Sequence, residues 1–521
     1  MKKFICTLLT VISVFSAFAL TACSCGSAAD GGANEIEINY WKAGLGDAFF
    51  KDVVEEFKTE YPEYTVKVNY KEDFSDFGSK ITLGAKYNNV DLYFGTIPDP
   101  SYNRDYLEPL NSVLDEVNAG ETKKVGEKID SYLLDNAKYW DDNYYSLPYG
   151  GGICGIVYNN TLMQEVLGAN PKLPNTTDEL RNLVWDINTM YGQTHKAFIH
   201  FQGGYWQYVQ DVWQAQYDGL DAYNNFYRLG AAADTIGKDT ETPSKAVLLN
   251  KDGRYEVLKV FESILTNQYV VSGSNTSTHT DAQTKFLGGQ AVMMCNGAWL
   301  VNEMKNVNGE YSDFRVMRTP VISSIVDNLE DTSMLDETLS EIIDKIDAGK
   351  EYSDPEVSAL CSENDYNRIK EARSLIWQVF SEHGACIPNY ATAKEGAKKF
   401  VKFYFSDKAQ KIFNDTVHIA LPFTYDNEQN KPDVSGWTNF EKDMYNYANT
   451  LTMLGVANGK RSSLFTTGGL MNYPAIENGN NMIVATMSRH DNPLDADGVW
   501  AQMTSIYEKN WATYLSNARL A

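Results

Sequence analysis

Histidine is scarce in this chain, six residues in 521, and no Cys-x-x-Cys pair occurs in it. Neither feature leaves material for a zinc ribbon or a dithiol redox site, so no metal and no cofactor are expected. Gly-x-Ser-x-Gly and His-Glu-x-x-His are both missing, and with them the usual signatures of serine hydrolases and zinc proteases. Basic charge is also short: 45 Lys and Arg stand against 69 Asp and Glu, a net charge of −24. A surface this acidic repels nucleic acid and anionic headgroups, so no nucleic acid partner is expected. After the first twenty residues no apolar run approaches the length of a membrane span. No fixed-period repeat and no long low-complexity tract is seen either.

What is there starts with Lys2 and Lys3, an apolar run from Phe4 to Leu20, and then Leu20-Thr21-Ala22-Cys23. These are the basic, apolar and small-residue regions of an export signal. Their ending resembles the bacterial lipobox, in which the cysteine is diacylated. Residues 1–22 are therefore expected to be a lipoprotein signal peptide, with Cys23 as the lipid anchor. The alternative, a single spanning anchor, has a rather short run and no stop-transfer cluster. Losing Lys2 and Lys3 takes the net charge from −24 to −26. The body would then meet the membrane through its lipid and not through a basic face. Residues 23–35, small and polar from Ser24 to Asn34, read as a lipidated flexible linker. Cys6 would leave with the signal. Cys154 and Cys295 lie in apolar or glycine-rich segments and read as buried thiols. Cys361 and Cys386 are candidates for a disulfide, though spacing cannot decide connectivity.

About 500 residues exceed one core, so two lobes are expected. Ile36, Ile38 and Tyr40 alternate with polar residues, then Phe49, Phe50, Val53, Val54 and Phe57 follow at helical spacing, then Val66, Val68 and Tyr70 alternate again. This is a βαβ unit, whose ligands sit beyond the carboxyl ends of the strands. Trp41 and Asp47 lie at that end of the first strand. Asp99, in the turn Pro98-Asp99-Pro100, follows the strand at Val90–Phe94 on the same edge. Gly150-Gly151-Gly152 after Tyr149 reads as a hinge, where backbone dihedrals absorb lobe motion. Thr176 or Thr177 caps a helix. A short strand at Phe198–Phe201 leads into the aromatic cluster Tyr205-Trp206-Gln207-Tyr208. Residues 320–385 look like an acidic, mainly helical insertion, and Ala393 to Tyr404 an amphipathic helix. Thirty-three Tyr and ten Trp are either core padding or faces for ligand rings. His195 and His200, near the aromatic loop, read as structural.

Phe286-Leu287-Gly288-Gly289-Gln290-Ala291-Val292-Met293-Met294-Cys295-Asn296-Gly297-Ala298-Trp299 resembles the central signature of the bacterial family 1 extracellular solute-binding proteins. Companions follow in family order. Pro148-Tyr149 with Ile156-Val157-Tyr158-Asn159-Asn160 resembles the hinge crossing, and Pro174 to Leu180 the helix opening after it. Phe314 to Pro320 resembles the return crossing, and Ala393 to Phe413 the late helix. The resemblance implies an α/β, two-lobed periplasmic-binding-protein-like fold of type II, each lobe a mainly parallel sheet flanked by helices, joined by hinge crossings. The first lobe would comprise 36–149 plus 318–417, including the 320–385 insertion, and the second 155–313 plus 423–521. It further implies an ABC-transporter binding lipoprotein, not an enzyme. Such a protein takes a monosaccharide or oligosaccharide between the lobes and hands it to membrane permease subunits. A monomer on the extracellular face of a Gram-positive cell membrane is expected. Trp299 matches the family's cleft tryptophan, and Tyr205 or Trp206 an aromatic of the second lobe. The turn after Phe94 matches a ligand-contacting loop, although Gly95 replaces an aromatic there and Gly152 an acid. Trp41, Asp47, Asp99, Tyr149, Tyr205, Trp206 and Trp299 are thus the candidate ligand-binding residues. The alternatives are a surface carbohydrate-active enzyme, with Asp141/Asp142 or Glu55/Glu56 as acid pairs, and a receptor for a non-sugar solute or for a sensor kinase.

Overall fold

The computed structural model describes residues 34–86, 88–95, 104–139, 141–202, 204–305, 313–455, 460–476 and 486–520. The signal segment, Cys23 and Asp99 lie outside them. Among the described residues, eleven strands form two sheets: β1 (Glu35–Trp41), β2 (Thr65–Lys71), β3 (Leu92–Gly95), β4 (Leu147–Pro148), β5 (Ile153–Asn159), β6 (Lys196–Phe198), β7 (Ala291–Gly297), β8 (Phe314–Val316), β9 (Leu375–Gln378), β10 (Gly384–Cys386) and β11 (Thr452–Leu454).

The first sheet runs β2-β1-β3-β10-β4. Its βαβ start is as the alternation predicts: β1 pairs in parallel with β2 and β3, and the helix Ala48–Glu60 between β1 and β2 buries Phe49, Phe50, Val53, Val54 and Phe57. Glu37 and Asn39 of β1 are buried as well, so their polar groups must find partners. Asp91 accepts from the Glu37 N–H at 3.0 Å and from the Thr392 and Ala393 N–H groups at 2.8 and 3.0 Å. This ties the sheet to the start of the helix Lys394–Tyr404.

The second sheet runs β11-β9-β5-β7-β6, and β8 shares the β9 edge of β5. Both sheets are mixed, not mainly parallel. In the first, β10 is antiparallel to β3 and β4; in the second, β5 is antiparallel to β7, β8 and β9. The reason is topological: a strand that has just crossed between lobes enters its sheet against the direction of the βαβ strands.

The lobe boundary also differs from expectation. Phe314–Val316 does not return to the first lobe but pairs with β5. The helices Asp336–Asp347 and Glu363–Ser374 follow it onto the second core, burying Ile342, Ile343, Tyr366 and Ile369 there. Thr176 donates to Asp336 at 2.8 Å, and the Gln216 side chain to the Ala372 carbonyl at 3.1 Å. The insertion therefore belongs to the second lobe, and the return crossing is Val379–His383, between β9 and β10. At the third connection, residues 422–427 stay with the first lobe: Pro422 accepts from the Asp130 N–H, and Asp407 from the N–H groups of Asp426 and Asn427. The helix Asn439–Thr450 then packs against β8 and β5. Cys361 and Cys386 fall in different lobes and both are free, as are the buried Cys154 and Cys295.

The crossing Tyr149–Gly152 runs antiparallel to Val379–His383. Val379 N–H donates to the Gly152 carbonyl and Tyr149 N–H to the His383 carbonyl, each at 2.9 Å. Gly151 has φ 121°, and a Cβ there would lie 2.8 Å from both Phe380 Cα and the Val379 oxygen. Backbone, unlike a side-chain tip, cannot step aside. Gly151→Ala should therefore destabilise the fold by about 2 kcal/mol or more. Gly436→Ala, with no atom within 4 Å of a built Cβ, should stay within about 0.5 kcal/mol of wild type on the same urea melt.

Candidate functional site

On the first-lobe side, β1 ends by presenting Trp41. Its half-buried ring lies parallel to the His383 ring at 5.3 Å and leans on Phe74 at 4.4 Å, and its Nε1 donates to the Glu72 carbonyl at 3.2 Å. Asp47, one turn later, is occupied: its carboxylate pairs with Lys51 at 3.0 Å and Lys42 at 3.8 Å. Lys42 in turn holds Glu72 at 2.6 Å. Tyr149 is fully buried among Phe94, Tyr40 and Tyr404, and its carbonyl accepts from the Tyr404 hydroxyl at 2.6 Å. It braces the crossing from inside the first core and does not face solvent.

On the second-lobe side, Tyr205, Tyr208 and Trp299 form one aromatic group. Tyr205 stacks on Tyr208 at 4.9 Å, and both meet the Trp299 ring edge to face at 5.7 and 6.1 Å. Tyr205 is half-buried and sits at the junction. Its neighbour Trp206 is core, packed on Phe198, Phe261 and His200 with 2% of its surface exposed. The reason is helical geometry: Trp206 opens the helix Gln207–Asp218 and points under the sheet.

Trp299 retains 8% exposure because the first lobe sits on it. A Cβ built on Gly44, in the turn Ala43–Leu45 after β1, would lie 2.6 Å from Trp299 Cβ and 3.3 Å from Glu303 Cγ. At its far edge, a Cβ on Gly297 would meet Trp299 Cη2 at 2.3 Å. Two glycines, one from each lobe, make the slot in which the indole stands. The spacing Gly297-Ala298-Trp299 thus has a packing reason as well as the one the resemblance implies.

The floor between these walls is the return crossing, which the sequence reading passed over. Glu382 ends its single 3₁₀ turn, Phe380–Glu382. The residue is exposed, yet burial of its carboxyl by the surrounding protein raises its pKa to about 7, with the Arg461 charge opposing. Solvent access together with desolvation marks a group on the floor of a groove, not on a convex surface. Tyr205, Tyr208 and Cys154 all feel its charge. His383 is buried; its Nδ1 bonds the Val379 carbonyl at 3.1 Å, and burial lowers its pKa to about 4, so it is neutral. Behind the aromatic wall, Asp211 is buried and accepts from Tyr227 at 2.8 Å, Asn472 at 3.1 Å and Tyr223 at 3.3 Å. Nothing in the chain's local patterning marks Glu382 or Asp211; both acquire their surroundings from distant segments.

The alternative acid pairs are committed elsewhere. Asp141 accepts from Tyr145 at 2.8 Å and Asp142 pairs with Lys138 at 2.9 Å. Glu55 and Glu56 pair with Lys58 and Lys408, each at 2.8 Å. His195 bonds the Gly289 carbonyl and His200 the Asn275 side chain, both as structural groups. Among the described residues there is no group of three or more His, Cys, Asp or Glu suited to a metal ion. No helix among them is long and apolar enough to cross a membrane.

A family profile described as bacterial extracellular solute-binding protein matches residues 52–442. Among solved structures, the bacterial solute receptor AcbH, described with an exclusive preference for β-D-galactopyranose, is 14% identical with a TM-score of 0.59, covering 92% of this chain and 99% of that one. A chitin oligosaccharide binding protein is 14% identical with a TM-score of 0.57, covering 92% and 100%. Lmo0181 from Listeria monocytogenes, an ABC substrate-binding protein in complex with cycloalternan, is 12% identical with a TM-score of 0.57, covering 92% and 99%. At these identities the likeness is one of fold. No curated protein matches the sequence.

Asp211 gives the site a measurable pH signature. Desolvation raises its pKa to about 6 in the folded state, against hydrogen bonds that pull it down. The folded protein then binds the proton more tightly than the unfolded chain, so stability falls as pH rises from about 4 to about 6 and stays lower above. Asp211→Asn, which keeps an acceptor for the two tyrosines, should remove that slope. Chemical denaturation at pH 4.5 and 7.5 should find the variant gaining on wild type by about 2 kcal/mol between the two.

Proposed function

The chain belongs to the bacterial extracellular solute-binding proteins, and on that premise we propose that it captures a sugar or oligosaccharide between its lobes for an ABC import system. What supports this reading is that Trp41 stacks on His383 of the return crossing, that Tyr205 and Tyr208 pack on Trp299 in the second lobe, and that the exposed Glu382 on that crossing acts electrostatically on both tyrosines. Aromatic faces stack on the apolar side of a pyranose, and a carboxylate accepts from its hydroxyls. Sugar ligands of the structural neighbours, β-D-galactopyranose, raffinose and cycloalternan, support the same class.

Capture then works by population shift. A ligand touching both walls binds the closed arrangement better than the open one, and the ribbon of paired crossings supplies the hinge. The closed receptor presents itself to a membrane permease, and the lipidated Cys23 with its linker keeps it at the extracellular face. A tether of this kind suits a Gram-positive cell, where an unanchored receptor would diffuse away. Trp41, Tyr205 and Trp299 are the aromatic contacts, with Asp47 on the first-lobe rim.

Isothermal titration against mono- and oligosaccharides should find a sugar ligand, and Trp299→Ala should weaken it tenfold or more, about 1.4 kcal/mol. Silence across the sugars with binding of a peptide or polyamine would overturn the sugar class. For the anchor, Cys23→Ala should abolish metabolic labelling by a palmitate analogue and release the protein into the medium.

A further inference from the structure

We propose that Glu382 decides which solutes this groove accepts, selecting ligands that present hydroxyl or ammonium donors and turning away those that carry a carboxylate or phosphate. The proposal rests on reading the groove as the solute site. It begins with placement. Glu382 sits on the return crossing between the buried Phe380 and His383, and that crossing is bonded to the outgoing one at Gly152 and Tyr149. Its backbone is therefore held on the crossing between the lobes, and the residue is exposed.

The second step is an account of partners. Lys42 is held by Glu72 and Asp47. Glu303, beside the Gly44–Trp299 slot, accepts from Gln283 at 2.7 Å. Asp211 has its two tyrosines and Asn472. Among the described residues, no hydrogen bond and no ion pair reaches the Glu382 carboxylate. Arg461 stabilises its charge from a distance and does the same for Asp211. A partly desolvated carboxylate without donors is an unmet demand, and charge-assisted hydrogen bonds from a ligand would meet it.

The third step is charge. An acidic ligand would bring a like charge toward Glu382 and Glu303, in a chain of net charge −24. Like charges at short range disfavour one another and raise the cost of ionisation. A neutral sugar or an ammonium-bearing solute meets no such penalty. The raised pKa of Glu382 agrees with a groove that lacks donors of its own.

The test uses the full mature chain and two variants, Glu382→Ala and Glu382→Gln, in thermal-shift and titration assays. The probes are maltotriose, raffinose, chitotriose and galactose as neutral sugars, trigalacturonate and glucose 6-phosphate as acidic ones, and spermidine as a non-sugar cation. A neutral sugar should bind wild type at least tenfold more tightly than it binds Glu382→Ala, with the unliganded variant melting no lower than wild type. Glu382→Gln, which keeps an acceptor oxygen but no charge, should retain part of that affinity and narrow the gap between neutral and acidic probes. Binding of spermidine alone, lost in Glu382→Ala, would support Glu382 and overturn the sugar reading. The proposal is overturned if Glu382→Ala binds as wild type does, if wild type takes an acidic probe as tightly as a neutral one, or if wild type binds none of the neutral and cationic probes.

Discussion

Two backbone hydrogen bonds, Val379 to Gly152 and Tyr149 to His383, decide how the rest of the molecule is arranged. They tie the outgoing and returning crossings into one short antiparallel ribbon. A ribbon of this kind bends more readily than it stretches, so the lobes can rotate about it while the floor between them keeps its length. Each element of the candidate site is fixed relative to it. Tyr149 anchors its first-lobe end in an aromatic cage, and Trp41 stacks on His383 at the returning end. Ala298, just before Trp299, donates its N–H to Ile153 at the second-lobe end.

Glycine serves close approach here in different ways. At Gly151 the backbone takes a conformation L side chains rarely adopt, and the partner crossing leaves no room for a Cβ. At Gly152 a Cβ would press on Ala298 Cβ at 2.5 Å, and at Gly44 on Trp299 Cβ at 2.6 Å. These are contacts between the outgoing crossing and β7's end, and between one lobe and the other. Removing a methyl at each lets backbone lie against side chain, which is how a large indole fits at a junction with only 8% of its surface left exposed.

The βαβ opening, the hinge glycines, the Thr176 cap and the buried strand of β7 were legible in the sequence because each is a local pattern. Alternation, helical spacing, a capping hydroxyl and a glycine run act within a dozen residues. The destination of residues 320–378 was not legible, because helical amphipathicity reports that a face is buried and not which core buries it. That was decided by Thr176 to Asp336, Gln216 to the Ala372 carbonyl and the pairing of β9 with β5, all long-range. The same limit applied at the site. Tyr205 and Trp206 are indistinguishable in sequence, but one residue of helical rotation sends the second under the sheet. Tyr149, a candidate ligand contact beside three glycines, is in fact their internal brace. Glu382 was invisible as one of many acids, since its environment comes from two crossings and the second lobe's aromatic wall.

If Trp299 contacts the solute as proposed, the Gly44–Trp299 slot joins recognition to motion. The first-lobe turn covers the indole, so closure and aromatic burial are the same event on that face of the groove. Shifting a two-state receptor from 1:99 to 99:1 takes about 5.5 kcal/mol of preference for the closed state. One aromatic stack contributes roughly 0.5–1.5 kcal/mol, and a hydrogen bond to a charged group about 1.5–3. A ligand meeting only the aromatic wall would therefore leave the lobes largely as they were. One that also donates to the pivot carboxylate, and touches the first-lobe turn, gathers contacts that exist together only when the lobes are shut. Selectivity and closure then draw on the same few groups, and the residue at the pivot carries weight in both.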